Sequence, residues 1–147
     1  MGTKVATIIE RKGREVVTIG PDRTLADAAE LMAGHGIGAI VVSGDGRTVE
    51  GVLSERDLVA HLARTGSRTL ELTVREAMTS DVATCTMASS TDELAVLMTE
   101  RRFRHVPVVD DEGMLLAIVS IGDVVRSRLD ELSAETEQLQ AYVSGSY

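Results

Sequence analysis

The chain has 147 residues, a formal net charge of −8 and 44% hydrophobic residues, which suits one compact domain or two small domains that share a core. The acidic balance argues against a surface that attracts nucleic acid or anionic lipid as a whole, and an aromatic content of 2% leaves few side chains for base stacking. The apolar runs are too short for a membrane span and the N-terminus lacks the apolar stretch of a signal peptide, so we expect a cytoplasmic protein.

The first half of the chain begins with a short strand and a helix. Residues 15–19 predict a short extended segment, and Thr24 with Asp27 three residues later has the spacing of a capping box at a helix start. Gly34 and Gly36 are expected to end that helix.

A buried hairpin and a second helix follow. The continuous apolar run 37–42 is typical of a strand buried on both faces. Residues 43–46 predict a turn and residues 48–53 predict the return strand. Ser54 then begins a helix that extends to about residue 64.

The second half predicts the same order after a connection over residues 65–81, in which Val74, Ala77 and Met78 predict a short packed helix. In chain order we expect a strand over 82–86, a helix capped by Ser90 with Glu93 at the capping-box position, a buried strand over 106–109, a turn over 110–113, a return strand over 114–119 and a final helix that starts at Ser120. Pro107 is expected at the start of its strand, where the ladder does not need its N–H.

The two halves are copies of one unit. Residues 16–62 and 82–128 align without a gap at a constant offset of 66, and ten of the 47 aligned positions are identical. The identities include Ser54 with Ser120 and Asp57 with Asp123. Because a sheet this small cannot bury both faces alone, we expect the copies to pack as a pseudo-twofold pair within the chain.

The final helix outlasts its counterpart in the first copy. Its apolar residues follow the alternating spacing of a coiled-coil seam, at Val125, Leu129, Leu132, Thr136, Leu139 and Val143. The helix could lie back on its own domain or contact a second chain. The length of the seam favours the second interpretation and predicts a homodimer.

Few residues suit catalysis or metal binding. Cys85 is the only cysteine, which excludes an internal disulfide and a cysteine metal cluster, and its apolar–polar surroundings favour a buried small side chain over a reactive thiol. His35, His61 and His105 are dispersed and lack metal-ligand spacing. Because Gly-x-Ser-x-Gly, Walker-type and Gly-x-Gly-x-x-Gly motifs are also missing from the sequence, we expect no enzyme activity and no metal.

Two segments of the repeat carry a family resemblance. Residues 51–57 and 117–123 each contain two hydrophobic residues, then Ser, two variable residues and Asp. With Val-Pro-Val-Val-Asp at 106–110 and Ala-Met-Thr at 77–79, the tandem β-α-β-β-α pattern resembles a CBS domain pair, or Bateman module, in a small stand-alone bacterial protein. The resemblance covers about residues 5–130.

The resemblance implies an α+β fold of two CBS repeats packed as a pseudo-twofold pair, with a long C-terminal helix. We assign the N-terminal segment and the first repeat to residues 1–72. The second repeat then occupies residues 73–130, and a helical extension occupies residues 131–147.

The resemblance also implies ligands and sites. Such pairs bind adenosine-bearing molecules between the repeats: AMP, ADP, ATP, NAD(H) or S-adenosylmethionine. The Asp of the motif binds ribose hydroxyls, and the Ser lies near ribose and phosphate. One implied site combines Ser120 and Asp123 with Thr18, Ile37, Gly38 and Ala39. The other implied site combines Ser54, Arg56 and Asp57 with Thr84, Arg104, His105 and Val106.

Elementary chemistry supports these sites and also offers an alternative. Free N–H groups at a helix N-terminus suit phosphate, and a carboxylate in the first turn can bind two adjacent hydroxyls. However, Ser-x-x-Asp at a helix start is also a capping box, which stabilises a helix without any ligand. The basic cluster at residues 101–105 favours phosphate binding over a merely solvated loop. Since the first repeat has Gly38 and Ala39 at the equivalent positions, we expect two unequal sites.

The sequence therefore predicts a non-catalytic adenine-nucleotide sensor that is read by an unidentified regulated protein. A structural dimerisation module with empty clefts is one alternative. Nucleic-acid binding through the basic cluster at 101–105 is another, although the net charge opposes it.

Overall fold

A computed structural model describes residues 2–145. Within this range the helices are α1 (Val5–Lys12), α2 (Leu25–His35), α3 (Glu55–Thr65), α4 (Val74–Ala77), α5 (Thr91–Arg101) and α6 (Ile121–Ser144), and a 3₁₀ segment spans Gly66–Glu71. The strands are β1 (Thr18–Ile19), β2 (Ala39–Val42), β3 (Gly51–Ser54), β4 (His105–Val109) and β5 (Leu115–Ser120).

The strands form one small sheet in each repeat. In the first repeat β1 pairs parallel to β2 and β2 pairs antiparallel to β3. In the second repeat β4 pairs antiparallel to β5, with His105 opposite Ser120. The order strand, helix, hairpin, helix occurs in both halves, apart from the first strand of the second repeat. The predicted fold class of tandem α+β repeats with a long C-terminal helix is therefore confirmed.

The predicted strand over residues 82–86 is wrong, because only a single parallel bridge between Cys85 and Val108 forms there. Pro107, which is the third residue of β4 rather than its first, explains the loss. In the first repeat the equivalent residue Val41 donates its N–H to the carbonyl of Val17 at 3.4 Å. Pro107 has no N–H, so this bond of the parallel ladder cannot form in the second repeat.

Several element boundaries also differ from the sequence prediction. Strand β1 begins at Thr18 instead of residue 15, β2 at Ala39 instead of 37, β4 at His105 instead of 106 and β5 at Leu115 instead of 114. The return strand of the first repeat begins at Gly51 instead of residue 48, because Thr48 bridges Met114 of the other repeat. Gly34 lies inside α2, whereas Gly36 ends that helix in the left-handed conformation, at a φ of 65°.

The core of each repeat contains a helix that lies outside that repeat in the sequence. Helix α1 precedes the first repeat, yet Val5, Ile8 and Ile9 are buried in the core of the second repeat with α5, β4 and β5. Helix α4 precedes the second repeat, yet Val74 and Ala77 are buried in the core of the first repeat with α2, β2 and β3. The two cores are thus built across the sequence boundary between the repeats.

Helix α6 extends beyond its repeat. It has 24 residues, and residues 132–140 are all exposed, so this part of the helix does not lie back on its own domain. Among residues 2–145, no helix is long and apolar enough to cross a membrane.

Candidate ligand-binding cleft between the repeats

A cleft of about 540 Å³ lies between the N-termini of α3 and α6. Its walls are the two helix starts, the segment 101–105 and parts of β3 and the connection between the repeats. The lining residues are Gly38, Val52, Ser54, Glu55, Arg56, Asp57, Thr79, Val82, Arg101, Arg102, Phe103, Arg104, His105, Ser120, Ile121 and Gly122.

Equivalent backbone hydrogen bonds hold the two helix starts on either side of this cleft. The N–H of Glu55, the first residue of α3, donates to the carbonyl of Gly38 at 2.9 Å. The N–H of Ile121, the first residue of α6, donates to the equivalent carbonyl of Arg104 at 2.8 Å. Each helix start is therefore tied to the residue that precedes the buried strand of its own repeat.

The Ser-x-x-Asp motifs form complete capping boxes at both helix starts. The Ser54 hydroxyl accepts from the N–H of Asp57 at 3.2 Å, and an Asp57 carboxylate oxygen accepts from the N–H of Ser54 at 2.9 Å. The corresponding distances for Ser120 and Asp123 are 3.2 and 2.8 Å. The motifs thus cap both helices, and this capping orients both carboxylates beside the helix starts.

Asp123 has a partner that the sequence did not predict. Lys12, the last residue of α1, donates to an Asp123 carboxylate oxygen at 2.7 Å and to the carbonyl of Ile118 at 3.0 Å. Burial alone would raise the pKa of Asp123. The hydrogen bonds from Lys12 and from the Ser120 N–H outweigh that effect, so the pKa lies below its ordinary value.

The segment 101–105 brings three guanidinium groups and an imidazole to the cleft. Arg101 lies over the Phe103 ring at 5.1 Å and donates to Asp81 at 3.1 Å. Burial lowers the pKa of His105, and the positive charges of Arg104 and Lys12 lower it further. Protonation of this imidazole is therefore less favourable than that of an exposed histidine.

Glu55 is an acidic member of the same cleft. Its side chain covers Gly38, since a Cβ added at Gly38 would collide with a Glu55 carboxylate oxygen. The equivalent residue in the second repeat is Ile121, which carries no charge. The two helix starts therefore present different charges, because the α3 side has a carboxylate at its first position and the α6 side does not.

The structure brings together seven of the predicted site residues: Gly38, Ser54, Arg56, Asp57, Arg104, His105 and Ser120. They come from both of the predicted sites and line one continuous cleft. Thr18 lies instead in a second cavity of about 520 Å³ along α2. The remaining predicted residues do not line either cavity: Ile37, Ala39, Thr84, Val106 and Asp123.

Sequence reasoning missed Lys12, Glu55, Thr79 and Val82. Glu55 stands inside the motif at residues 51–57, so its place at the helix start was available as a signal. Lys12 had no such signal, because its contact with Asp123 depends on α1 crossing to the other repeat.

Cys85 is buried, as the sequence predicted, with an exposed fraction of 7%. Burial raises the pKa of its thiol to about 12, and Glu93 adds to this effect. The described residues contain no group of three or more His, Cys, Asp or Glu side chains that could hold a metal ion.

Comparison with known proteins identifies the family. The model of the CBS domain matches residues 8–64 and 74–130. These two segments are offset by the same 66 residues as the internal repeat. The chain belongs to the CBS domain family and carries two CBS domains in tandem.

Relatives match over nearly the whole chain. The CBS domain-containing protein CBSX3, mitochondrial, of Arabidopsis thaliana is 33% identical over 153 residues, which cover 99% of this chain and 74% of the relative. The crystal structure of the CBS-domain containing protein ATU1752 from Agrobacterium tumefaciens is 48% identical with a TM-score of 0.82, and the match covers 86% of this chain and 99% of that one.

Two similar structures contain adenosine-bearing ligands. CBSX2 in complex with AMP is 29% identical with a TM-score of 0.71, and the match covers 88% of this chain and 98% of that one. The CBS domain pair of protein MJ0100, in complex with 5′-methylthioadenosine and S-adenosyl-L-methionine, is 25% identical with a TM-score of 0.75, and the match covers 86% and 95%. CBS pairs similar to this chain therefore bind adenosine-bearing small molecules.

Proposed function

We propose that this protein is a non-catalytic sensor that binds an adenine nucleotide, such as AMP, ADP, ATP or NAD(H), in the cleft between its repeats. A ligand there would contact both repeats and bias how they pack. A regulated partner protein would read that packing. Such a switch needs a ligand that binds two states with different affinities.

The observation that carries the proposal is the convergence of two capped helix starts and a basic segment on one cleft. Each helix N-terminus presents the positive end of its dipole to an anion. Arg101, Arg102 and Arg104 add fixed positive charge to the same walls, although the whole chain has a net charge of −8. The volume of about 540 Å³ is typical of a small-molecule site.

The carboxylates of the motifs would bind the ribose. We propose Asp57 and Asp123 as the diol acceptors of two sites, flanked by Ser54, Arg56, Thr84, Arg104, His105 and Val106 in one and by Ser120, Thr18, Ile37, Gly38 and Ala39 in the other. The basic segment makes the sites unequal in charge. We expect the site that contains Arg104 and His105 to hold the more anionic ligand.

Isothermal titration with AMP, ATP and NAD(H) tests this proposal. Asp57→Ala and Asp123→Ala should each weaken one site at least about tenfold, because a charge-assisted pair of hydrogen bonds is lost. Glu76→Ala is the matched control, since Glu76 forms the same kind of capping box with Thr73 on a helix start outside both cavities. If all three variants had equal effects on binding, the Ser-x-x-Asp motifs would act only as helix caps. If none of the nucleotides bound to the unsubstituted protein, a structural module with empty clefts would be favoured.

A second pair of substitutions tests the inequality of the sites. Replacing Arg104 and His105 together by Ala should weaken nucleotide binding at one site and spare the other. Equal loss at both sites would contradict the assignment. A gel shift with RNA or DNA at varied salt tests the nucleic-acid alternative, which requires binding that weakens steeply with salt.

We propose that the protein is a homodimer in which α6 contacts its copy. The predicted seam is exposed in the single chain, with exposed fractions of 50% at Val125, 59% at Leu129, 49% at Leu132 and 65% at Leu139. Helix α3 adds Val59, exposed by 64% and equivalent to Val125. A second helix that covered this stripe would remove its apolar surface from water.

Sedimentation velocity tests the homodimer. Leu132→Glu combined with Leu139→Glu should convert a dimer to a monomer, because four charges would face one another across the seam. Ala134→Glu combined with Gln138→Glu adds the same charge on exposed positions away from the seam and should keep the dimer. A dimer that survives the leucine substitutions would contradict the role of α6.

A further inference from the structure

The ammonium group of Lys12 forms an ion pair with the carboxylate of Asp123, which is one of the two carboxylates that we propose to bind ribose. Lys12 donates to Oδ2 of Asp123 at 2.7 Å, and the N–H of Ser120 donates to the same oxygen at 2.8 Å. The pair is partly shielded from water, with exposed fractions of 32% for the lysine side chain and 22% for the aspartate side chain. An acidic residue binds ribose by accepting hydrogen bonds from its hydroxyl groups, and Lys12 already holds one of the two Asp123 oxygens that could accept them.

Helix α1 delivers this lysine to the second repeat. Val5, Ile8 and Ile9 anchor the helix in that core, with exposed fractions of 0, 7 and 3%. Gly13 ends the helix immediately after Lys12, at a φ of 92°. The ammonium group is thus held beside Asp123 by the packing of α1, while the turn that follows it is free of regular structure.

The first repeat lacks this contact. The residue 66 positions after Lys12 is Met78, whose thioether packs against Gly51. Asp57 receives its hydrogen bonds from the N–H of Ser54 at 2.9 Å and from the Ser54 hydroxyl at 3.1 Å. The two otherwise matching motifs therefore differ in whether a cation from elsewhere in the chain holds the carboxylate.

We infer that Lys12 is an intramolecular competitor for the Asp123 site. A ligand that binds through its ribose to Asp123 displaces the ammonium group and so breaks one of the ion pairs that join α1 to α6. This inference rests on the proposed function and adds a regulatory device to it. A ligand at the Asp123 site thereby changes the contacts of α1, whereas a ligand at the Asp57 site does not.

Adenosine is the probe that isolates this effect, because it carries the ribose but no phosphate that Lys12 could contact instead. We would titrate it into the full chain with Asp57→Ala, in which only the Asp123 site remains. Lys12→Met keeps the aliphatic stem and should tighten adenosine binding up to about fivefold, the effect of removing a partly exposed ion pair. Arg11→Met is the matched control, since Arg11 on the same helix pairs with Asp130 and not with Asp123. Equal or weaker binding by the Lys12→Met protein would overturn the inference.

Amine acylation followed by mass spectrometry gives an independent readout, because Lys4 and Lys12 are the only lysines of the chain. In the free protein Lys12 should react more slowly than the exposed Lys4. Saturating adenosine, or Asp123→Ala without ligand, should raise the reactivity of Lys12 and leave that of Lys4 unchanged. Binding of adenosine without this response would overturn the inference alone. Failure of adenosine and the nucleotides to bind any variant would overturn the proposed function together with it.

Discussion

At the scale of single residues, Arg102 shows a conflict between backbone conformation and charge. It ends α5 in the left-handed region at a φ of 58°, whereas the equivalent residue Gly36 ends α2 at a φ of 65°. Glycine adopts this conformation freely, and other residues do so at a cost of about 1 kcal/mol. A cationic side chain on the cleft wall would explain why the second repeat keeps the less favourable residue.

Arg102→Gly separates these two effects. We expect the free energy of unfolding to rise by up to about 1 kcal/mol, because the left-handed strain disappears, and AMP affinity to fall while adenosine affinity changes little. Urea unfolding and calorimetric titration measure the two quantities. Arg102→Lys keeps both the charge and the strain and should resemble the unsubstituted protein. A variant that is less stable and binds AMP equally well would contradict this interpretation.

His105 predicts a pH dependence of ligand binding. Burial and the charges of Arg104 and Lys12 hold the pKa of His105 below its ordinary value. An anionic phosphate in the cleft would raise that pKa, so binding would take up a proton. AMP affinity should therefore rise as the pH falls through the pKa of His105.

The phosphate of AMP itself titrates near pH 6, so the measurement is a comparison with His105→Gln. We expect the affinity of the variant to depend less steeply on pH than that of the unsubstituted protein. Parallel pH profiles would show that His105 does not contact the phosphate.

At the scale of elements, the sequence predicts what is locally determined. The capping boxes of Thr24 with Asp27 and of Ser54 with Asp57 form as expected, because donor and acceptor lie within one helical turn. The strand over residues 82–86 fails because its ladder depends on a proline in another strand. The contact of Lys12 with Asp123 is equally inaccessible, since it follows from the crossing of α1 and not from any local pattern.

Pro107→Val tests the explanation for the missing strand. The new N–H should donate to the carbonyl of Ala83, as Val41 donates to Val17 in the first repeat. Hydrogen exchange should then show protection of the residue 107 amide and a longer parallel pair. The free energy of unfolding should change by less than about 1 kcal/mol, because the added hydrogen bond is offset by the freer unfolded chain. Rapid exchange of that amide would show that something other than Pro107 prevents the ladder.

At the scale of the whole molecule, the crosswise packing of α1 on the second repeat and of α4 on the first makes the repeats interdependent. The hydrophobic cores form two separate clusters, and each contains one helix from beyond its own repeat. Loss of α1 would uncover the sheet of the second repeat, and loss of α4 would uncover that of the first. The sequence boundary that we draw at residue 72 is therefore not a boundary between cores.

Two substitutions at equivalent positions of the repeat test this crosswise arrangement. Ile8 and Val74 are 66 residues apart and both are buried. Ile8 lies in the core of the second repeat, and Val74 lies in the core of the first. Ile8→Ala should cost about 2–5 kcal/mol of stability and Val74→Ala somewhat less, because each leaves a cavity. In native-state hydrogen exchange, Ile8→Ala should loosen the amides of β4 and β5, and Val74→Ala should loosen those of β2 and β3. If Ile8→Ala loosened the first repeat and Val74→Ala the second, or if each variant loosened both repeats equally, the crosswise packing of α1 and α4 would not be what stabilises the two cores.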